Sequence, residues 1–385
     1  MIKVKTDILK DRIKKLSKVK YVNKYEIKYG VLKIQGSKLT IYNSDTNRYC
    51  AKASIDVIND NVTDSIIAAK IDLNKLSKIL KNFDVETIIK ASYSNLIITD
   101  GKKTYKQRYS FVKTYPFENF QFKYKTDKIE LEKSFTKELL KHIKFVSNDN
   151  KANVLNGVYF FGNYHKVYIT TTDKYKAIKT NMESFLLGLD HCISDYPFNM
   201  DFIIDINVIK FIKTINENIK SLIFNKMEKY VRISLTNDID ILVEKIDGTY
   251  PNIERLFIID VDKEVIMNTK ELLKNHKELL PLVKDDKNKH VRLDLTQNKV
   301  GYSYFGKDES YWIDIKDIIR KNTLKDQIDY NCKFIIDIME NIQGDMKMLF
   351  NWNIESSPFI IKDTKNMNTQ YLLSPVKTYG GIEIE

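Results

Sequence analysis

The 385-residue sequence has little of what cross-links or breaks a chain, with only 3 Cys, 6 Pro and 12 Gly. Its cysteines, Cys50, Cys192 and Cys332, are odd in number and lie more than 100 residues apart, which excludes a disulfide framework and a zinc site. Scarce Gly and Pro, together with 43% apolar and 30% charged residues, exclude collagen-like and low-complexity chains. We therefore expect a folded protein.

Long apolar segments are also missing. The sequence contains no uninterrupted apolar run of about 18 residues, the length that a membrane helix needs. Residues 1–7 lack the apolar core of a signal peptide. These absences predict a soluble, cytoplasmic protein that has no membrane partner.

The charge is unbalanced towards lysine. The 63 Lys and Arg residues outnumber the 51 Asp and Glu residues, which gives a formal charge of +12. A basic excess is typical of proteins that bind polyanions. Richness in Lys, Asn, Ile and Tyr is equally what an AT-rich genome produces, so the position of the lysines must decide between the two.

Segments with helical periodicity recur as three pairs. The first helix of each pair is predicted to begin at a residue suited to an N-cap, namely Thr6, Ser134 and Asn268. The second helices are predicted near Leu73, Ile206 and Asn331. From Asn74 to Asn207 is 133 positions and from Asn207 to Cys332 is 125, so a repeat of about 130 residues uses the whole chain.

Alternating, strand-like runs follow each predicted helix. Copies one and two both close on Thr-Tyr-Pro, at residues 114–116 and 249–251. The fold class expected is therefore α+β, with three tandem domains at 1–127, 128–260 and 261–377, each carrying two helices on antiparallel sheets, and an acidic tail at 378–385. Head-to-tail association of such chains could close a ring.

Three segments resemble one known family. They are Leu155-Asn156-Gly157-Val158 followed by Thr171-Thr172-Asp173, the linker at residues 247–256 (DGTYPNIERL), and the end at residues 371–377 (YLLSPVK). In this order and spacing they are similar to the bacterial DNA polymerase III beta subunit, the replication sliding clamp, over essentially residues 1–377. Two departures stand out: Lys174-Tyr175-Lys176 replaces the family's Gly-His-Arg, and eight residues follow Lys377.

The resemblance implies three clamp-fold domains that form half of a closed ring, and a homodimer that encircles duplex DNA without reading its sequence. It implies a processivity factor rather than an enzyme, with no cofactor, no metal and no catalytic residue. Its expected partners are a DNA polymerase and a clamp loader, which bind through short peptide motifs. By resemblance, the partner-peptide pocket between domains two and three comprises Leu155, Thr172, Ala177, Pro251, Leu256, Ile360, Leu372, Pro375 and Val376.

Many diffuse contacts between lysine and phosphate would let a clamp hold DNA and still slide. The DNA-facing residues are predicted on the paired helices and on the loops at 18–24 and 148–151: Lys10, Lys14, Lys20, Lys24, Lys75, Lys78, Lys137, Lys141, Lys151, Lys210, Lys213 and Lys274. The dimer interface is predicted at Tyr105, Lys102, Leu282 and Val283. Any one of these lysines could instead lie on an ordinary solvated face, and Leu155, Leu256, Leu282 and Leu372 could simply be core.

Two other classes of function remain open. An enzyme is disfavoured because phosphate-binding, zinc-protease and nucleophile-elbow motifs are absent and the five histidines form no ligand-spaced cluster. Asp45 and Asp173 occupy matching places in two copies and are interpreted as a repeated turn rather than a carboxylate pair. The second alternative is a tandem β-rich scaffold that binds proteins without encircling DNA.

Overall fold

A computed structural model describes residues 1–20, 29–45, 48–59, 67–92, 95–108, 120–149, 153–163, 165–187, 199–258, 261, 263–303, 310–316, 318–321, 327–350 and 357–376. Within these ranges the chain is mixed α+β, and all six predicted helices are confirmed. They are α1 (Thr6–Leu16), α2 (Leu73–Ile79), α3 (Lys133–Lys141), α4 (Ile206–Ile215), α5 (Thr269–Leu279) and α6 (Cys332–Met339).

The predicted N-caps are only partly right. Asn268 caps α5 by accepting from the backbone N–H of Lys270 and Glu271, and Asn331 caps α6 in the same way. Thr6 is instead the first helical residue of α1, and its hydroxyl bonds that of Thr87 at 2.8 Å. Ser134 lies inside α3. A tertiary partner therefore takes the place of the expected cap at α1, whereas Ser134 bonds the nearby Glu132.

The chain divides into two compact units. Unit 1 comprises residues 1–140, 161–165 and 185–247, and unit 2 comprises residues 141–160, 166–184 and 248–385. The domain boundaries near 127 and 260 stay a prediction, and the tail at 378–385 lies outside the described residues. No helix of the described residues has both the length and the apolarity to cross a membrane.

In unit 1 the described strands form antiparallel sheets. They are β1 (Ile2–Lys5), β2 (Gly30–Gln35), β3 (Lys38–Ser44), β4 (Tyr49–Asp56), β5 (Ile58–Asn59), β6 (Ile67–Ile71), β7 (Glu86–Ser92), β8 (Asn95–Thr99), β9 (Thr104–Arg108), β10 (Asp127–Leu131), β14 (Leu186–Leu187), β15 (Met200–Asp205), β16 (Ile219–Phe224), β17 (Tyr230–Leu235) and β18 (Ile239–Glu244). One sheet has the order β5-β1-β7-β8-β9, and a larger one has the order β14-β10-β16-β17-β18-β4-β3-β2-β6.

Unit 2 is built in the same way. Its described strands are β11 (Gly157–Asn163), which extends past residue 160, β12 (Lys166–Thr172), β13 (Lys176–Asn181), β19 (Lys263–Met267), β20 (His290–Asp294), β21 (Lys299–Ser303), β22 (Ser310–Asp314), β23 (Ile318–Lys321), β24 (Gln327–Asn331), β25 (Met346–Phe350), β26 (Phe359–Asp363) and β27 (Asn366–Leu373). The order β12-β13-β27-β26-β25-β19-β23 forms part of one sheet, and β22-β21-β20-β24 form another. An apolar core that includes Leu272, Ile335, Ile361 and Tyr371 fills the space between strands and helices.

Candidate functional site

Four of the predicted pocket residues lie opposite one another in the sheet of unit 2. Thr172 pairs with Ala177, Ala177 with Leu372, and Leu372 with Ile360, across β12, β13, β27 and β26. Directly opposite residues of a sheet point to the same face. We call Thr172, Ala177, Leu372 and Ile360 the groove row.

The groove row faces away from the main core of unit 2. The adjacent row, which includes Ile178, Tyr371 and Ile361, points to the other face and belongs to that core. The groove-row side chains are nevertheless only 2–6% exposed. Other parts of the protein therefore cover most of each of these four side chains.

The other five predicted pocket residues differ in their exposure to solvent. Leu155 is buried, Pro375 and Val376 are half-buried, Pro251 is exposed, and Leu256 is 39% exposed. The segment that contains Pro375 and Val376 is anchored to β24, because the N–H of Val376 donates to the carbonyl of Asp329 at 2.8 Å. All nine predicted pocket residues belong to unit 2. Among them, Leu256 is a large apolar side chain that is exposed to solvent.

Tyr250 joins the linker to the groove row. Its hydroxyl accepts a hydrogen bond from the N–H of Thr172 at 3.0 Å, and its ring stacks on Tyr159 with centroids 5.0 Å apart. Burial raises the pKa of Tyr250 well above its ordinary value, so the phenol stays protonated. This contact fixes the position of Pro251 next to the groove row.

Glu254 holds the short helical turn Glu254–Phe257 against the sheet. Its carboxylate pairs with Lys166 at 2.5 Å and with Lys179 at 3.2 Å, and the turn contacts β27. Burial alone would raise the pKa of Glu254, but the two lysines outweigh it and lower the pKa. The turn thereby positions Leu256 beside the groove.

The segment Lys174-Tyr175-Lys176, which differs from the family pattern, forms a tight turn. The Asp173 carboxylate accepts from the N–H groups of Tyr175 at 3.0 Å and Lys176 at 2.9 Å. Lys174 has φ +84°, in the region that favours glycine, which is the residue the family pattern has there. The matching Asp45 carboxylate accepts from Arg48 and Tyr49 in unit 1, so both aspartates serve as turn residues.

Lys176 carries an ion pair that the sequence reading missed. Its side chain is 4% exposed, and its Nζ donates to Asp337 on α6 at 2.6 Å. The ammonium also lies 5.2 Å from the ring centroid of Phe145 and 4.9 Å from that of Phe334. An acidic residue on the apolar helix α6 was the available signal, since a buried carboxylate requires a partner.

His142 forms a buried hydrogen-bonded network in unit 2. Its ring nitrogens lie 2.7 Å from the Thr171 hydroxyl and 3.1 Å from the Thr180 hydroxyl, and Thr180 in turn bonds Thr369. Burial lowers the pKa of His142 to about 3, and the nearby Lys141 charge adds to the effect. The imidazole is therefore neutral at physiological pH.

A pH-dependent loss of stability follows from this histidine. The unfolded chain protonates His142 near its ordinary pKa of about 6.5, whereas the native protein does so only near pH 3. The contribution of neutral His142 to the free energy of unfolding is therefore complete above about pH 6.5. Below that pH it falls by about 1.4 kcal/mol per pH unit. Between pH 7.5 and 5.0 the native chain should lose about 2 kcal/mol more than His142→Gln in urea unfolding. An identical loss in both proteins would contradict this assignment.

The predicted DNA-facing lysines are mostly accessible. Lys10 and Lys210 are half-buried, and the exposed ones are Lys14, Lys20, Lys75, Lys78, Lys137, Lys213 and Lys274. Lys24 and Lys151 lie outside the described residues. The prediction for Lys141 is wrong, because its side chain is buried at 6% exposure. Lys141 is the last residue of α3, and a 3-10 turn follows it at His142–Lys144.

Some neighbouring lysines are already neutralised within their own unit. Lys15 pairs with Asp11 at 2.6 Å and with Glu217 at 2.5 Å. Lys277 and Lys144 both pair with Glu340, and these contacts lower the pKa of Glu340 to about 2. The basic helix faces are therefore weaker in charge than a count of lysines suggests.

The predicted interface residues divide into surface and core. Lys102 is exposed and pairs with Asp84 at 3.0 Å, and Tyr105 is half-buried on β9, an edge strand. Leu282 is 46% exposed. Val283 is fully buried in the core of unit 2, so its predicted interface role is wrong.

Metal-ligand geometry is not seen in the described part of the chain. No group of three or more His, Cys, Asp or Glu side chains lies close enough there to hold a metal ion. The described histidines at 142 and 276 are instead buried and bonded to protein groups.

The fold defined above is that of the DNA clamps. No protein-family model matches the sequence, and no curated protein matches it. Solved structures do match over nearly the full length of the chain. The predicted resemblance to the DNA polymerase III beta subunit is therefore confirmed at the level of the fold.

Three of these structures illustrate the likeness. The beta subunit from the DNA polymerase of Streptococcus pyogenes matches with a TM-score of 0.82 at 15% identity, covering 98% of this chain and 100% of that one. The DNA polymerase sliding clamp from Bacillus subtilis gives 0.81 at 17% identity, with 98% and 99% covered. The DNA polymerase III beta subunit from Thermotoga maritima gives 0.76 at 18% identity, with 98% and 100% covered.

Proposed function

We propose that the protein is a DNA sliding clamp. Two copies would associate head to tail around duplex DNA and tether a DNA polymerase, which would raise the processivity of that polymerase. The observation that carries the proposal is a clamp fold over 98% of the chain whose helices present exposed lysines. The protein would act without catalysis or cofactor in the cytoplasm, where replication takes place.

The basic helices support binding to the DNA backbone. Exposed lysines occur on α1, α2, α3, α4 and α5. Mobile ammonium groups on helices contact phosphates without reading bases, so the binding free energy varies little as the protein moves along the duplex. This is the chemistry that sliding requires, since a base-specific contact would stop the protein at its site.

Two sheet edges support closure of a dimer. Strand β9 ends one sheet of unit 1 and exposes Lys106 and Arg108, whereas β22 ends one sheet of unit 2 and exposes Ser310 and Asp314. Strand edges of opposite charge that have no partner strand among the described residues are suited to pairing with another chain. We infer that β9 of one copy adds to β22 of the next, with Tyr105 and Leu282 beside the junction.

The groove of unit 2 supports binding of partner peptides. Its floor is the apolar groove row, and Pro251, Leu256, Pro375 and Val376 form less buried walls. A short peptide from a polymerase or a clamp loader would insert aliphatic and aromatic side chains into such a groove. The tail at residues 378–385 follows this groove in sequence.

Topological linkage to DNA tests the function. The protein is allowed to thread onto linear duplex, which ligation then closes into a circle. We expect retention on the circle in about 1 M salt, where the Debye length is only about 3 Å, and release once a restriction enzyme linearises it. Light scattering should give a mass near twice the 45.3 kDa of one chain.

The alternative hypothesis, a scaffold that binds proteins without encircling DNA, predicts a different outcome. Its electrostatic contacts would be lost in high salt from circular and linear DNA alike. Release from intact circles at high salt, or a monomer in light scattering at micromolar concentration, would count against the clamp.

A further inference from the structure

A cavity opens in unit 1, where β4 and β18 lie side by side. It has a volume of about 60 Å³, and its apolar walls include Tyr42, Cys50, Phe120 and Leu242. Ala51 and Ile241, which alternate with Cys50 and Leu242, are fully buried on the opposite face. The cavity therefore lies on the face of the sheet that points away from the adjacent core.

The cavity occupies the position in unit 1 that the groove occupies in unit 2. Here the paired strands are β3, β4, β18 and β17, and the residues opposite one another are Ser44, Cys50, Leu242 and Arg232. The corresponding groove row of unit 2 is Thr172, Ala177, Leu372 and Ile360. Two small residues and a leucine recur in the same order, and the last member is an isoleucine in unit 2 but an arginine in unit 1.

This change gives the cavity a cationic end. Arg232 lies with its guanidinium 5.6 Å from the ring centroid of Phe122, and no ion pair joins it to a carboxylate of the described residues. Lys52 also lines the cavity and pairs with Asp240 at 3.3 Å. The lining carries two cations and one anion, so an apolar ligand that also bears a carboxylate would be complementary to it.

We propose that this cavity is a second peptide site. It takes a small aliphatic side chain against Leu242 and Cys50, and the carboxylate of a neighbouring Asp or Glu pairs with Arg232. The class of ligand, a short peptide, rests on the proposed function. The two sites would therefore differ in specificity, since the groove row accepts an apolar side chain where the second site requires a carboxylate.

A pair of nearly isosteric peptides tests the site. The probes are N-acetyl-Ala-Leu-Asp-Ala amide and its Asn counterpart, titrated into the full-length chain labelled at leucine methyl groups. We expect the Leu242 methyl resonances to shift with the Asp peptide, and its Kd to be at least about fivefold lower than that of the Asn peptide. Arg232→Gln should remove this preference, and unchanged resonances of other leucines will report an intact fold.

Several results would overturn the proposal. They are equal Kd values for the two peptides, a preference that persists in Arg232→Gln, and an absence of shifts at Leu242. Leu372→Lys should leave the titration unchanged, and loss of the Leu242 shifts in that variant would mean that the peptide binds elsewhere. Failure of DNA retention together with an intact titration would refute the clamp and leave this site standing.

Discussion

A chain that carries Leu372→Lys is expected to bind DNA polymerase peptides at least about 30-fold more weakly than the unsubstituted chain, while it still forms the dimer. Leu372 lies in the middle of the groove row and is 4% exposed. A lysine there would place a hydrated charge where an apolar side chain of the peptide must pack. The peptide would lose its contact with Leu372, and water would enter the site. Fluorescence anisotropy of a labelled peptide measures the change.

Two further variants make this test decisive. Met367→Lys changes a 77% exposed residue of the same strand and should leave peptide affinity unchanged. Leu256→Lys changes a 39% exposed wall residue, so it should weaken the peptide without threatening the sheet. Normal affinity in both Leu372→Lys and Leu256→Lys would refute the groove assignment.

Asp337→Leu is expected to lower the free energy of unfolding by about 3 kcal/mol. It leaves the buried Lys176 ammonium with Asp173 at 4.0 Å as its nearest carboxylate among the described residues. The double variant Lys176→Met with Asp337→Leu removes both charges and should recover most of the loss. Urea unfolding followed by tryptophan fluorescence reports on the correct unit, because both tryptophans lie within residues 248–385.

Lys333 provides the matched control. It pairs with the same Asp337 at 2.9 Å, but its side chain is 47% exposed. Lys333→Met should therefore cost less than about 1 kcal/mol, as surface pairs do. Equal decreases in the free energy of unfolding for Asp337→Leu and Lys333→Met would mean that the burial of Lys176 does not increase the cost of removing its partner.

The helices and strands were readable from the sequence because their signals are local. Apolar spacing predicted all six described helices, and the threefold repeat supported each assignment with two others. The failures occurred where the local period stops. Lys141 ends α3 and turns inward, and Val283 follows α5 and enters the core, so extrapolating a helix face misplaced both.

The groove was only partly readable. Its residues were found through motif resemblance, whereas the register that aligns Thr172 with Ala177 and Leu372 is tertiary and has no local pattern. The pair of Lys176 and Asp337 joins residues 161 positions apart, and no periodicity connects them. Asp337 on α6 and Glu340 directly after it are the partners of the buried Lys176 and of the neighbouring Lys144.

The pairing of β13 with β27 has a consequence for the growing chain. Thr180 lies opposite Thr369, 189 residues later, so one edge of β13 has no native partner until β27 has been made. At about 5–20 residues per second this delay is roughly 10–40 s. During that time an unpaired strand edge is open to aggregation, so the ribosome must synthesise β27 before the groove row can form.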